Sequence, residues 1–111
     1  MHSRQVSGRN LEYAVQRRLK ALGYIVFRCE GSRPVDIIAI KQNRIVIIEC
    51  KAGKHPSIQP KQLNHILEIS KIIDAIPVLA VRKKHREIKC FNMMESCMKE
   101  IKLTELELGR L

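Results

Sequence analysis

The chain has 111 residues, 45% hydrophobic and 29% charged, which gives room for one domain over residues 1–111 built on one hydrophobic core. Lys and Arg number 21 against 11 Asp and Glu, a net charge of +10; residues 1–94 hold 18 of the basic and 7 of the acidic side chains. Such a field attracts polyphosphate, while 4% aromatics with no Trp argue against a stacking platform for single strands, and no apolar run approaches the ~20 residues that span a bilayer. In chain order, Leu11, Val15, Leu19 and Leu22 fall at helical spacing, with Arg17, Arg18 and Lys20 turned outward, so residues 8–22 read as an amphipathic helix stopped by Gly23. Tyr24–Arg28 reads as a strand, and Glu30–Pro34 as a loop. The β-branched runs Val35–Ile40 and Arg44–Lys51 form a hairpin about the turn at residues 41–44.

After a break at residues 53–60, Ser57 is the expected cap and Pro60 a first-turn residue of a second helix. That helix carries Leu63, Ile66, Leu67, Ser70 and Ile73 on one face and stops at Pro77. Val78–Arg82 and Glu87–Phe91 are two further strands around the basic turn Lys83-Lys-His-Arg86, and residues 93–103 are expected to form a last helix. The order α-β-β-β-α-β-β-α describes an α/β domain with helices on a mixed sheet, its third and fourth strands parallel because a helix connects them. Cys29, Cys50, Cys90 and Cys97 have no CxxC spacing, which disfavours a zinc site and suits a reducing compartment. The start Met-His-Ser-Arg-Gln lacks the apolar stretch of a secretion signal. The expected location is the cytoplasm, at the nucleoid, with no membrane partner and no small-molecule cofactor.

Strand parity gathers the chemistry. Alternation puts Ile45, Ile47, Glu49 and Lys51 on one face, and Val46, Ile48 and Cys50 on the other. Glu49 and Lys51 therefore end a strand whose earlier residues are core-like, a costly place for charge unless it is paired or used. Asp36 and Glu49 each lie about five residues from the hairpin turn, so register brings them together. Two such carboxylates suit a divalent ion that neutralises a phosphate and acidifies a bound water. Glu12 borders the buried face of the first helix. Taken singly these features have ordinary readings: Glu-x-Lys as an exposed ion pair, Asp36 as turn chemistry, Glu12 as a helix-dipole residue. Their conjunction in a basic chain points to phosphodiester cleavage.

The runs Gly8-Arg-Asn-Leu-Glu12, Gly23-Tyr-Ile-Val-Phe-Arg28, Gly31-Ser32, Pro34-Val-Asp-Ile-Ile-Ala39 and Ile47-Ile-Glu-Cys-Lys51 resemble the archaeal-type Holliday junction resolvases of the PD-(D/E)xK nuclease superfamily, over about residues 8–82. The resemblance implies a restriction-endonuclease-like fold, a mixed central β-sheet flanked by helices. It implies Mg²⁺, with Mn²⁺ able to substitute, held by Glu12, Asp36, Glu49 and the carbonyl of Cys50, and Lys51 as the catalytic lysine. Arg28 and Ser32 would act near the phosphate, and Arg9, Arg33, Lys54 and Gln62 would contact DNA. Symmetric nicking of branched DNA calls for a homodimer, with the Leu63–Ile73 helix or the Cys90–Met98 segment as candidate interface, although Met93, Met94 and Met98 read equally as core. Two departures are Val35 between Pro34 and Asp36, and Tyr13 where many resolvases have Arg after the helix Glu, which leaves room for a viral or plasmid-borne relative. The alternatives are a restriction- or repair-type nuclease acting on duplex or flap DNA, and an inactive basic DNA-binding module.

Overall fold

The structure, a computed structural model, describes residues 3–31, 34–94 and 98–104, and for residues 3–7 the backbone alone. The elements run α1 (Ser3–Ala21), β1 (Ile25–Arg28), β2 (Ile37–Lys41), β3 (Arg44–Gly53), α2 (Pro60–Ile73), β4 (Ile76–Lys83), β5 (Lys89–Asn92) and β6 (Lys99–Ile101). All six strands join in one sheet in chain order, with β1 and β6 at the edges. Every neighbouring pair is antiparallel except β3 and β4, which run parallel as their helical connection requires.

Both faces of the sheet are covered, so the expected single core is two. Leu11, Val15 and Leu19 of α1 pack on Ile37, Val46, Ile48, Val78 and Ala80. On the opposite face Ile66 of α2 packs with Val35, Ile47, Leu79 and Met93, with Leu63, Leu67 and Ile69 partly buried beside it. A strand buried on both sides needs continuous apolar sequence, and β3 supplies it with Ile45–Ile48. At the end of α1, the Tyr24 N–H donates to the Leu19 carbonyl and the Gly23 N–H to the Lys20 carbonyl, the paired bonds of a helix end that puts Gly23 at φ +96°. Lys41 then donates to the Leu22 carbonyl at 2.7 Å, tying the hairpin to that helix end.

Several boundaries differ from the sequence reading. The first helix begins at Ser3, five residues earlier than expected. Gln59, not Ser57, precedes the first turn of α2 and makes no side-chain capping bond; Pro60 occupies the first turn as expected. Ile73 is exposed rather than buried, and the helix closes at Asp74 in the left-handed region (φ +56°). Pro77 does not bound the next strand but lies within it, since its fixed φ tolerates extended backbone and its carbonyl still accepts from Met93. The expected last helix over residues 93–103 is overturned. Residues 93–94 turn, Met98 takes φ +41°, and Lys99–Ile101 pair with β5. Ile101 and Leu103 are buried while Glu100 and Lys102 are exposed, a period of two that the open edge of β5 selects over helical propensity. Cys97 lies outside the described residues.

Candidate active site

Asp36 sits one residue ahead of β2, where its N–H donates to the Ile48 carbonyl and its own carbonyl accepts from Cys29. The β2–β3 register pairs Ile37 with Ile48, so the next pair outward is Asp36 with Glu49. Both carboxylates are buried, at 2% and 6% exposure. Asp36 Oδ2 accepts from the Cys50 backbone N–H at 2.8 Å, which holds that carboxylate at the strand end. Glu49 Oε2 accepts from Gln62 Nε2 at 2.7 Å and lies 3.3 Å from Lys51 Nζ. The strand parity and hairpin register expected for Asp36, Glu49 and Lys51 are therefore those of the fold.

Burial and the neighbouring Asp36 charge push the Glu49 carboxyl up to about 7, against the opposing pull of the Gln62 hydrogen bond and Lys51. The Cys50 thiol turns to the α1 side and is driven well above its ordinary value, first by burial and then by Asp36, Glu12 and Glu49. All three carboxylates thus lie near enough to the Cys50 thiol to oppose its ionisation. Glu12, however, is bound elsewhere: Arg28 Nε lies 2.9 Å from its Oε1. That bond is the largest cause of a raised Arg28 pKa, and the guanidinium also stands 6.0 Å from the Tyr13 ring. Tyr13, the residue that departs from the resolvase pattern, so becomes a stacking partner for Arg28. Val35, the other departure, is buried in the α2-side core.

Among the described residues, no three His, Cys, Asp or Glu side chains are gathered closely enough to hold a metal ion. What the fold assembles is a pair of buried carboxylates backed by Lys51, with Glu12 alongside and engaged to Arg28. A pair is still the donor set expected for Mg²⁺, which takes oxygen ligands, keeps several waters and needs only one or two protein carboxylates. The mutual repulsion of Asp36 and Glu49 is the term a divalent cation would relieve. Arg9 and Lys54 are exposed, near the start of α1 and just after β3. Ser32 and Arg33 lie outside the described residues. Gln62, for which DNA contact was expected, donates to Glu49. Sequence carried no signal for that bond, which depends on how α2 crosses the sheet.

A family model described as archaeal Holliday junction resolvase (Hjc) matches residues 3–106. Over 84 residues the chain is 29% identical to crossover junction endodeoxyribonuclease Hjc of Methanocaldococcus jannaschii, an alignment covering 74% of this chain and 63% of that protein. The chain thus spans a little under two thirds of that relative's length. Its fold is similar to that of Archaeoglobus fulgidus Hjc, a Holliday junction resolvase from an archaeal hyperthermophile, with a TM-score of 0.69 at 20% identity, covering 91% of this chain and 88% of that one. The restriction-endonuclease-like architecture is accordingly the fold of this protein. By its sequence from residue 3 to residue 106, the chain belongs to the archaeal Holliday junction resolvase family.

Proposed function

We propose that this chain is a metal-dependent, structure-selective DNA endonuclease that resolves four-way junctions by paired symmetric nicks, in DNA recombination and repair. The observation that carries the reading is the pairing of buried Asp36 and Glu49 across the β2–β3 hairpin, with Lys51 at 3.3 Å from Glu49. Hjc nucleases are metal-dependent in general, and Mg²⁺ is the ion we assign, with Mn²⁺ as substitute. Asp36 and Glu49 would hold it, with Glu12 and the Cys50 carbonyl as further oxygen donors. When bound, such an ion supplies positive charge to the scissile phosphate and acidifies water.

The protein's own groups do the rest. The Cys50 N–H and Gln62 fix the two carboxylates in direction, so that little reorganisation is needed when charge develops. Lys51, half-buried beside Glu49, offers its ammonium to the attacking water or to the phosphate oxygens. Arg28, one residue from the loop that contains Ser32 and Arg33, would add charge at the same phosphate once Glu12 turns to the metal. Arg9, Arg33 and Lys54 would supply contacts to the DNA backbone, which place a duplex without reading its sequence.

The chemistry favours a homodimer as a single domain per chain, since one chain offers one carboxylate pair and a junction needs two cuts. Exposed Ile72 and Ile73 on α2, and Met94 after β5, support the two candidate interfaces; Met93 is core and Met98 is packed against it. No helix among the described residues is long and apolar enough to cross a membrane. The decisive experiment is a cleavage panel of four-way junction, flap and linear duplex, each with Mg²⁺ and with chelator. Nicking of the junction in Mg²⁺ alone is expected; equal cutting of linear duplex would favour the restriction- or repair-type reading.

A further inference from the structure

The hairpin between β4 and β5 encloses an open hollow of about 550 Å³ walled by Val81, Lys83, Arg86, Glu87, Lys89 and Phe91. Its place follows from register, because residues opposite one another on paired strands point to the same side of a sheet. Glu49, Leu79 and Phe91 make one such row, Lys51, Val81 and Lys89 the next, and Gly53 with Lys83 the third. The hollow therefore lies on the same face as Glu49 and Lys51, beginning one strand beyond them. With strands roughly 4.8 Å apart, Lys89 stands about 10 Å across the sheet from Lys51.

The turn aims a third cation at the same space. The Arg86 N–H donates to the Lys83 carbonyl at 2.9 Å and His85 takes φ +62°, so the chain folds back within four residues and Arg86 lines the hollow with Lys83 and Lys89. All three side chains are exposed, and among the described residues none is held in an ion pair. The one carboxylate on the wall is Glu87, and Glu100 stands opposite Phe91 on β6. The floor, Val81 and Phe91, is already packed against the α2-side core and gains nothing from three unpaired cations around it. A concave cluster of positive charge beside a phosphodiester-cutting pair fits an anion of fixed spacing from the cut.

We propose that this hollow binds a backbone phosphate of the nicked DNA strand, about one or two nucleotides to one side of the bond being cut. The spacing comes from the ~10 Å offset, since phosphates on one strand wind about the axis as they rise and stand roughly 7 Å apart through space. The site rests on the endonuclease reading and extends it: Lys83, Arg86 and Lys89 hold the strand so that the scissile phosphate reaches Asp36, Glu49 and Lys51. They fix position and carry no sequence preference.

The test compares the full chain with its K83Q/R86Q/K89Q variant in binding a four-way junction in chelator, across a salt series. Losing one phosphate contact makes the slope of log affinity against log salt shallower by about 1, with affinity down roughly tenfold near 0.1 M salt. A control variant, R17Q/K20Q/K71Q, removes as much charge from exposed positions on α1 and α2 and is expected to change the slope less. A neutral methylphosphonate placed one or two nucleotides from the cut should weaken the wild type and leave the variant unaffected, since neighbours that share one contact are not additive. The singles R86Q and K89Q, each expected to give part of that slope change, serve if the triple variant fails to fold. An unchanged slope in the triple variant, an equal loss in the control, or equal sensitivity of both proteins to the methylphosphonate would overturn the site. A wild type that neither binds nor nicks junctions would overturn the endonuclease reading, and this site with it.

Discussion

Glu49 holds its proton more tightly than an ordinary carboxyl because burial and Asp36 both penalise its charge. Unfolding returns it to water and to the usual value of 4.5, so between about 4.5 and 7 the folded chain binds more protons than the unfolded one. Stability from this group therefore falls as pH rises through that window, and the cost is complete above it. Glu49→Gln removes the charge while keeping an acceptor for Gln62. In metal-free buffer at pH 8, calorimetry should show the variant melting several degrees above wild type, with the gap closing near pH 4. A gap of the same size at both pH values would mean that packing, not charge, is responsible. The same substitution is expected to lower nicking roughly a thousandfold, the upper end of what removing one charge-organising group costs.

At the scale of the elements, α2 positions Gln62 against Glu49, and its far end is the weakest point of its construction. Asp74 closes the helix with φ +56° and ψ 50°, a left-handed conformation that costs any residue with a Cβ, and an acid there opposes the helix dipole. Asp74→Gly should therefore stabilise the fold by about 1 kcal/mol, raising Tm by roughly 4–8 °C with nicking unchanged. A lower Tm would show that the Asp74 side chain makes a contact that outweighs both terms. What was legible in the sequence divides along the same lines. The β3 alternation and the two-residue hairpin turn determine Asp36, Glu49 and Lys51 because both are local, with a fixed period and a fixed pairing. The Gln62–Glu49 and Arg28–Glu12 bonds were not legible, since each depends on a helix crossing the sheet at an angle no spacing encodes. Residues 98–101 misled for a different reason. Met, Glu and Lys favour helix when taken alone, yet a free sheet edge beside them offered hydrogen bonds and a place for Ile101.

At the scale of the whole molecule, the proposed function rests on charge and on a pair of chains. On the proposed function, a net charge of +10 on 12.8 kDa should make DNA affinity fall steeply with salt, whereas hydrolysis would depend on a few buried groups. Binding and cutting should therefore separate on mutation. Paired nicking also requires two copies, and sedimentation should report twice the mass of one chain. Ile72 is 77% exposed on α2, so Ile72→Glu should shift that equilibrium toward monomer at little cost to folding. An unshifted dimer would move the interface to the surface near Met94. The most direct test of the central claim is the rate of nicking of a synthetic four-way junction in Mg²⁺ by wild type and Glu49→Gln, with junction affinity measured on the same preparations. Mg²⁺-dependent nicking by wild type, lost in the variant while affinity holds within a few-fold, is the expected result; nicking that survives Glu49→Gln, or that proceeds in chelator, would contradict it.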